Sequence, residues 1–233
     1  MMTHIEKFII PEVILYLLAL FFILRMFAVS EDNDFYDRLL KSSFDFVVSL
    51  LILVAISPVM LACALGVLIS SRGPVFFLQE RVGQHGKLFK IYKFRTMHNR
   101  ADQGFALTSR GDPRIFWFGS VLRKLSFDEL PQLINVLRGE MSLVGPRPHM
   151  PQARAAGILY HEAVEKYDDR HAVKPGMTGW AQVNGWRGPT ETVEQLANRV
   201  EHDIWYTRHW NLLIDLKILV KTVRVAFFHE NAF

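Results

Sequence analysis

Residues 8–29 form a run that is almost wholly apolar, with Glu12 and Arg25 near its ends. As a helix such a run covers about 33 Å, enough for a hydrocarbon core of ~30 Å. It lacks a clear small-x-small site at its end, which favours a retained transmembrane helix over a cleaved signal peptide. A polar break follows at residues 30–34, and then Arg38 and Lys41. Weighing Lys and Arg over acids puts this side in the cytosol and the N-terminus outside, with Lys7 arguing weakly the other way. A second apolar run, residues 44–69, is interrupted by Asp45, Ser49 and Ser57-Pro58. Basic residues flank both of its ends (Arg38 and Lys41; Arg72 and Arg81). Proline in mid-run removes a helical hydrogen bond, and a carboxylate is expensive below the membrane interface. A helix–break–helix that enters one leaflet and returns, hinged at Ser57 and Pro58, satisfies all three observations.

From Gly73 the pattern becomes that of a water-exposed domain. Residues 75–78 and 88–92 predict short strands around a Gly83…Gly86 turn, hence a β-hairpin. Residues 98–113 are polar and carry Gly104, Gly111 and Asp112-Pro113, so they predict a loop. Residues 115–125 repeat apolar positions at helical spacing. A helix is predicted to start at Asp128 as N-cap, with Pro131 in its first turn, Leu130, Leu133, Ile134 and Leu137 on one face, and Gly139 ending it. Residues 160–171 read as helical, Pro175-Gly176 as a turn, and 192–228 as one long amphipathic helix of the interfacial kind. The fold class expected is α+β, mostly helical. Three parts follow: residues 1–33, an N-terminal transmembrane helix and polar break; 34–72, a re-entrant membrane helix; and 73–233, a cytosolic catalytic domain.

Composition narrows the function. Half of the 233 residues are hydrophobic and the formal net charge is +4; mean hydropathy is +0.14. A mild basic excess suits anionic lipid, nucleic acid or a phosphorylated substrate. No nucleic-acid-binding signature is present, so nucleic acid drops out. Cys63 is the single cysteine, which excludes an intrachain disulfide and a cysteine-rich metal site. The nine histidines show no metal-ligand spacing and read as structural. From Arg72 to Arg100 there are seven Lys or Arg and one acid, Glu80, so part of this stretch is a basic face beside anionic lipid.

The candidate chemistry lies at Asp128-Glu129. Ser126-Phe127-Asp128-Glu129 fits a capping box, and acids in a first helical turn are ordinary. The neighbourhood argues for more. Arg123, Lys124, Arg138 and Arg147 surround the pair in sequence, and Gly145-Pro146-Arg147-Pro148 is a rigid setting for a guanidinium that must hold a phosphate. Trp186, in a glycine-rich loop, either stacks on a sugar or base or plugs a core edge.

Residues 123–137 with 144–148, Lys93-Phe94-Arg95-Thr96-Met97 upstream, and residues 174–183 downstream together resemble the bacterial sugar transferase family, the monotopic polyprenyl-phosphate phosphoglycosyl transferases. The resemblance covers about residues 37–233, in order and in register. It departs at Lys41-Ser42, where the family usually has Lys-Arg ahead of the Asp. Gly185-Trp186-Arg187-Gly188 resembles the branch that moves glucose 1-phosphate or galactose 1-phosphate, with Pro189 where that branch often has Glu.

The resemblance implies transfer of a sugar 1-phosphate from a UDP-hexose to undecaprenyl phosphate, with release of UMP, as the first membrane step of exopolysaccharide, capsule or O-antigen synthesis. It implies Asp128 as nucleophile, Glu129 as catalytic partner and Mg2+ ligand, Lys93, Arg95, Arg123 and Arg147 as phosphate-binding residues, and Gln182, Trp186 and Arg187 as sugar- or nucleotide-binding residues. The expected setting is the bacterial inner membrane with the catalytic domain in the cytosol, against membrane lipid, with a homodimer left open. The rival is a non-catalytic membrane-tethered scaffold of a polysaccharide assembly complex.

Overall fold

In a computed structural model, residues 34–98, 112–188 and 190–228 are described. The apolar run 8–29, most of the loop at 98–113, and Pro189 lie outside them.

The second apolar run folds as two helices, α1 (Asp34–Ala55) and α2 (Ser57–Ser70). They are bent by 64° at Ile56. Among the described residues no single helix is long and apolar enough to cross a membrane, and this bent pair alone meets the length and composition of a span. The residue types explain the bend. Pro58 lies in the first turn of α2, where its missing N–H disrupts least. That missing N–H would have bonded the carbonyl of Val54. The Ser57 hydroxyl donates to that same carbonyl at 2.8 Å instead. The ladder continues on either side, Ile56 N to Ile52 O and Met60 N to Ile56 O, both 2.9 Å. Leu51, Val54, Leu61 and Ile69 project into solvent, which gives the pair an apolar outer surface.

The hairpin forms as expected. β1 (Phe76–Val82) and β2 (Leu88–Phe94) pair antiparallel, with Phe77 opposite Lys93 and Arg81 opposite Phe89. The turn uses positive φ at His85 and Gly86. Ile115 bridges to Met97, and α3 (Trp117–Lys124) follows. The helix expected from Asp128 begins later: residues 127–129 are a 3-10 turn, and α4 (Gln132–Leu137) starts after Pro131. Gly139 ends it at φ 74. β3 (Ser142–Val144) then pairs in parallel with β6 (Gly176–Thr178). A Cβ on Gly176 would collide with the backbone of Gly145, so glycine there lets the Gly-Pro-Arg-Pro loop lie against Pro175-Gly176.

Two further expectations change. Residues 160–171 are not one helix. A small β4–β5 hairpin (Arg154–Ala155, Ile158–Leu159) leads into α5 (Tyr160–Ala163), and a separate 3-10 turn spans 167–172. After the short α6 (Trp180–Val183), the long helix expected at 192–228 splits into α7 (Val193–His209) and α8 (Leu212–Phe228). Asn211 explains the split: its side chain accepts from Ile214 N at 2.9 Å, a cap that starts a new helix.

Both α1 and α2 share their packing with the rest of the domain. Phe44 and Val48 of α1 pack on a cluster of Ile91, Leu133, Val136, Met141, Tyr206 and Ile218. Cys63 and Val67 of α2 bury against Phe94, Phe116 and Leu122. Asp45, 4% exposed, accepts from Leu143 N at 3.3 Å. Lys41 pairs with buried Asp215 and lies 3.8 Å from Asp45. Tyr206 donates to Asp215 at 2.7 Å, and its hydroxyl also contacts Val144 O at 3.1 Å. Charges on α1 and α8 thus meet beside the strand that leads to Arg147.

Candidate active site

Ser126 turns the chain after α3 with φ 57, an uncommon conformation for serine, and presents Asp128 and Glu129 from a 3-10 turn. No side chain caps that turn, so the capping-box reading of Ser126 and Glu129 fails. Glu129 serves another purpose. Its Oε1 accepts from Lys93 Nζ at 2.7 Å and from Arg147 Nη2 at 2.6 Å, and its Oε2 accepts from Arg147 Nη1 at 3.2 Å. This is a forked guanidinium–carboxylate contact with a lysine added. Burial would raise the Glu129 pKa, but Arg147 and Lys93 overcome it and hold the carboxyl well below the usual range.

Asp128 differs in kind. Among the described residues nothing hydrogen-bonds its carboxylate. Burial pushes its pKa up, with Lys93 the largest opposing influence and the Glu129 charge adding to the rise. Burial pushes both carboxyls up; direct pairing with Arg147 and Lys93 reverses the shift for Glu129 and leaves it standing for Asp128, which separates the two acids. One acid is locked between cations, and its neighbour is free and less comfortable as an anion.

Long-range contacts set the supports. Asn135 of α4 accepts from Tyr92 N at 2.9 Å and donates to Lys90 O at 2.8 Å, clamping the strand that carries Lys93. The carbonyl of Arg147 accepts from Arg170 Nη2 at 2.6 Å. Arg170 is 1% exposed and pairs with Asp203 at 2.7 Å. Gly145 N bonds Thr178 O and Gly176 N bonds Pro146 O, both at 2.9 Å. The Gly-Pro-Arg-Pro loop is therefore fixed on both sides of its arginine.

Of the other expected residues, Arg123 lies close enough for its charge to act on Asp128. It donates to Thr96 Oγ1 at 3.0 Å and contacts Met97 Sδ at 3.9 Å. Arg187 reaches the turn that carries the acid pair by donating to Ser126 Oγ at 3.0 Å. Trp186 is half-buried, its ring 6.0 Å from that of His202. Arg199 holds the loop by donating to Trp186 O and Gly188 O at 2.7 Å. Gln182 Oε1 is buried with no partner among the described residues. Arg95 is not gathered in. It is 4% exposed, and its guanidinium donates to Ser71 O at 2.6 Å and Arg72 O at 2.7 Å, closing the end of α2. A side chain on Gly73 would occupy the same space. In this geometry the Arg95 guanidinium holds the two carbonyls just past α2, and Ser57 and Pro58 serve the bend.

Sequence reasoning missed Arg81. Its Nη2 donates to Gln79 Oε1 at 2.6 Å and its Nη1 to Pro148 O at 3.4 Å. Burial and the nearby Arg147 bring its pKa down to about 10, opposed by Glu129. Strand alternation held the signal: cross-strand neighbours share a face, so Arg81 lies on the Lys93 face of the hairpin.

A divalent cation here would need oxygen donors. Among the described residues no three His, Cys, Asp or Glu converge, so such an ion would complete its shell from substrate phosphates. Glu129 Oε2 accepts a single bond and retains a lone pair, and the Asp128 oxygens are unengaged. The pair fits a Mg2+ ion that arrives with a diphosphate.

The profile of the bacterial sugar transferase family matches residues 36–229. The undecaprenyl-phosphate glucose phosphotransferase of Komagataeibacter xylinus is 50% identical over 200 residues, covering 85% of this chain and 38% of that protein. The UDP-glucose:undecaprenyl-phosphate glucose-1-phosphate transferase of Escherichia coli K12 is 48% identical over 198 residues, covering 84% of this chain and 42% of that protein. The exopolysaccharide production protein PSS of Rhizobium leguminosarum bv. phaseoli is 45% identical over 191 residues, 80% of this chain and 94% of that protein. The chain thus spans about two fifths of the length of the first two relatives and nearly all of the third. With the profile matched along most of its length and relatives at 45–50% identity, the chain belongs to the bacterial sugar transferase family.

Proposed function

We propose that this protein transfers a hexose 1-phosphate, most simply glucose 1-phosphate, from a UDP-sugar to undecaprenyl phosphate through a covalent Asp128–phosphosugar intermediate. The observation that carries the reading is the asymmetry of the acid pair. Glu129 is held by Lys93 and Arg147, while Asp128 beside it bonds to none of the described residues. A nucleophile must present an unengaged oxygen, and a positioning or metal-binding carboxylate must be fixed. The names of the glucose-transferring relatives support the sugar, and the Gly185–Gly188 loop stands next to the turn through the Arg187–Ser126 bond.

In the first half-reaction an Asp128 oxygen attacks the β-phosphorus of the donor. The bond from that phosphorus to the bridging oxygen breaks, and UMP leaves with the electron pair. In the second, a phosphate oxygen of the polyprenyl acceptor attacks the same phosphorus and Asp128 departs as a carboxylate. Arg123 and Lys93 stand on the Asp128 side and offset charge on the phosphoryl group undergoing transfer. A Mg2+ ion on Glu129 would add a further positive charge against the diphosphate.

The reading places the chain at the bacterial inner membrane with its catalytic side in the cytosol. Its support there is the 64° bend and the apolar outer surface of α1–α2. The test is release of UMP across a panel of UDP-sugars by the chain in lipid nanodiscs, with radiolabelled donor to trap the adduct. UMP release with UDP-glucose and a labelled protein band are expected. Release of UDP, or a labelled adduct on Asp128→Asn, would refute the mechanism, and no turnover of any donor would favour a scaffold.

A further inference from the structure

The cations around the acid pair are not alike. Lys93 and Arg147 are paired with Glu129, and Arg170 with Asp203. Arg81 bonds to no carboxylate among the described residues. A guanidinium has five N–H donors. That of Arg81 places one on Gln79 Oε1 at 2.6 Å and one on Pro148 O at the long distance of 3.4 Å. Its Nε is buried with no partner. A half-buried cation with no carboxylate bonded to it, beside a second cation, has room for an anion to complete the set.

The position says which anion. Lys93 sits opposite Phe77, four residues along β1 from Arg81, so the two cations occupy one face of the hairpin, ~13 Å apart at the backbone. Lys93 reaches Glu129 at one end. At the other, Arg81 touches the carbonyl of Pro148, the residue after Arg147. The charges that bear on Asp128 include Lys93, Arg123 and Arg147. Those that bear on Arg81 are Arg147 and Glu129. Along the hairpin face Lys93 thus marks the Glu129 end and Arg81 the Pro148 end, next to Arg147.

We propose that Arg81 is a further substrate-binding residue that, with Arg147, holds the α-phosphate of the nucleotide donor and stabilises it as the leaving group. The assignment rests on the nucleotide-sugar reading above. When the Asp128 oxygen bonds to the β-phosphorus, the bridging oxygen keeps the electron pair and becomes a terminal oxygen of UMP. The added negative charge then faces two guanidiniums, and no proton is needed. Gln79, on the same strand face, holds the Arg81 fork in place, and Met150 Sδ holds Gln79 Nε2 in turn at 2.9 Å.

The test measures binding of UMP and of uridine to the full chain in nanodiscs, with single-turnover UMP release from the donor. Arg81→Gln should weaken UMP binding by about tenfold or more and leave uridine binding unchanged, since uridine lacks the phosphate. It should slow the first half-reaction and spare transfer from preformed adduct to acceptor. Arg81→Lys, which keeps the charge and loses the fork, should fall between, and it preserves the test if the Gln variant fails to fold. Equal weakening of UMP and uridine would overturn the assignment in favour of a purely structural arginine. Normal UMP binding with a slow second half-reaction would overturn it in favour of the acceptor phosphate. Failure of the wild type to bind UMP would instead bring down the nucleotide-sugar reading, and the assignment with it.

Discussion

Asp128 and Glu129 are neighbours in sequence, yet their surroundings push them in opposite directions. The folded pKa of Glu129 is depressed, so its contribution to stability is present above the unfolded value and is lost as pH falls through the folded one. The folded pKa of Asp128 is raised by burial, so keeping it ionised at neutral pH costs stability. Asp128→Asn should therefore fold with a melting temperature at or above that of the wild type while activity falls at least ~10³-fold. Glu129→Gln should melt lower, by roughly 1–3 kcal/mol of lost pairing, and should weaken the dependence on Mg2+. Scanning calorimetry alongside UMP release checks both. With Asp128 as the proposed nucleophile, the acid limb of the pH–rate profile should follow its carboxyl, whose folded pKa burial raises. Lys93→Met removes the charge that opposes the rise most, so that limb should move to higher pH; an unmoved limb would assign it to another group.

Among the elements, α1–α2 depends on two adjacent residues for its shape. Ser57→Ala removes the side-chain donor to Val54 O and should cost about 0.5–1.5 kcal/mol. The bend also sets sidedness. Cysteines at exposed Leu39 and Arg72 should react with an impermeant thiol reagent from the same, cytosolic side; labelling from opposite sides would mean that the pair spans. The far end of α2 is closed by Arg95, which sequence reasoning assigns to phosphate. Arg95→Gln should lower thermal stability and leave UMP affinity unchanged, since both of its terminal nitrogens are engaged by Ser71 O and Arg72 O. A loss of UMP affinity without a loss of stability would restore the phosphate role.

At the scale of the molecule, α1, α8 and the strand leading to the Gly-Pro-Arg-Pro loop share one buried network. Lys41 of α1 sits between Asp45 and Asp215, and Tyr206 links Asp215 to the carbonyl of Val144, three residues before Arg147. Lys41→Met would leave two buried carboxylates without a cation, a loss of about 3–5 kcal/mol. Lys41→Met/Asp215→Asn should recover part of it, and measuring both unfolding midpoints tests whether the two ends are coupled. Independent effects of the two substitutions would show that they are not.

The features that the sequence determined by itself are those encoded by neighbours on the chain. The break at Ser57-Pro58, the hairpin with its turn, the stop at Gly139 and the acid pair within a basic setting all follow from backbone chemistry and from periodicities of 2 and 3.6 residues. Local rules also misled, since Ser126 and Glu129 satisfy the capping-box spacing while Glu129 is taken by Lys93 and Arg147, 36 and 18 residues away. Nothing local tells Arg95, a helix cap, from Lys93 two positions earlier. The Arg170–Asp203 pair, the Asn135 clamp and the place of Arg81 beside Arg147 required strands and helices distant in sequence to meet. What tertiary structure alone decided is which of the two carboxylates is neutralised and which stays free, because burial and charge pairing are properties of the space around a group and not of its neighbours along the chain.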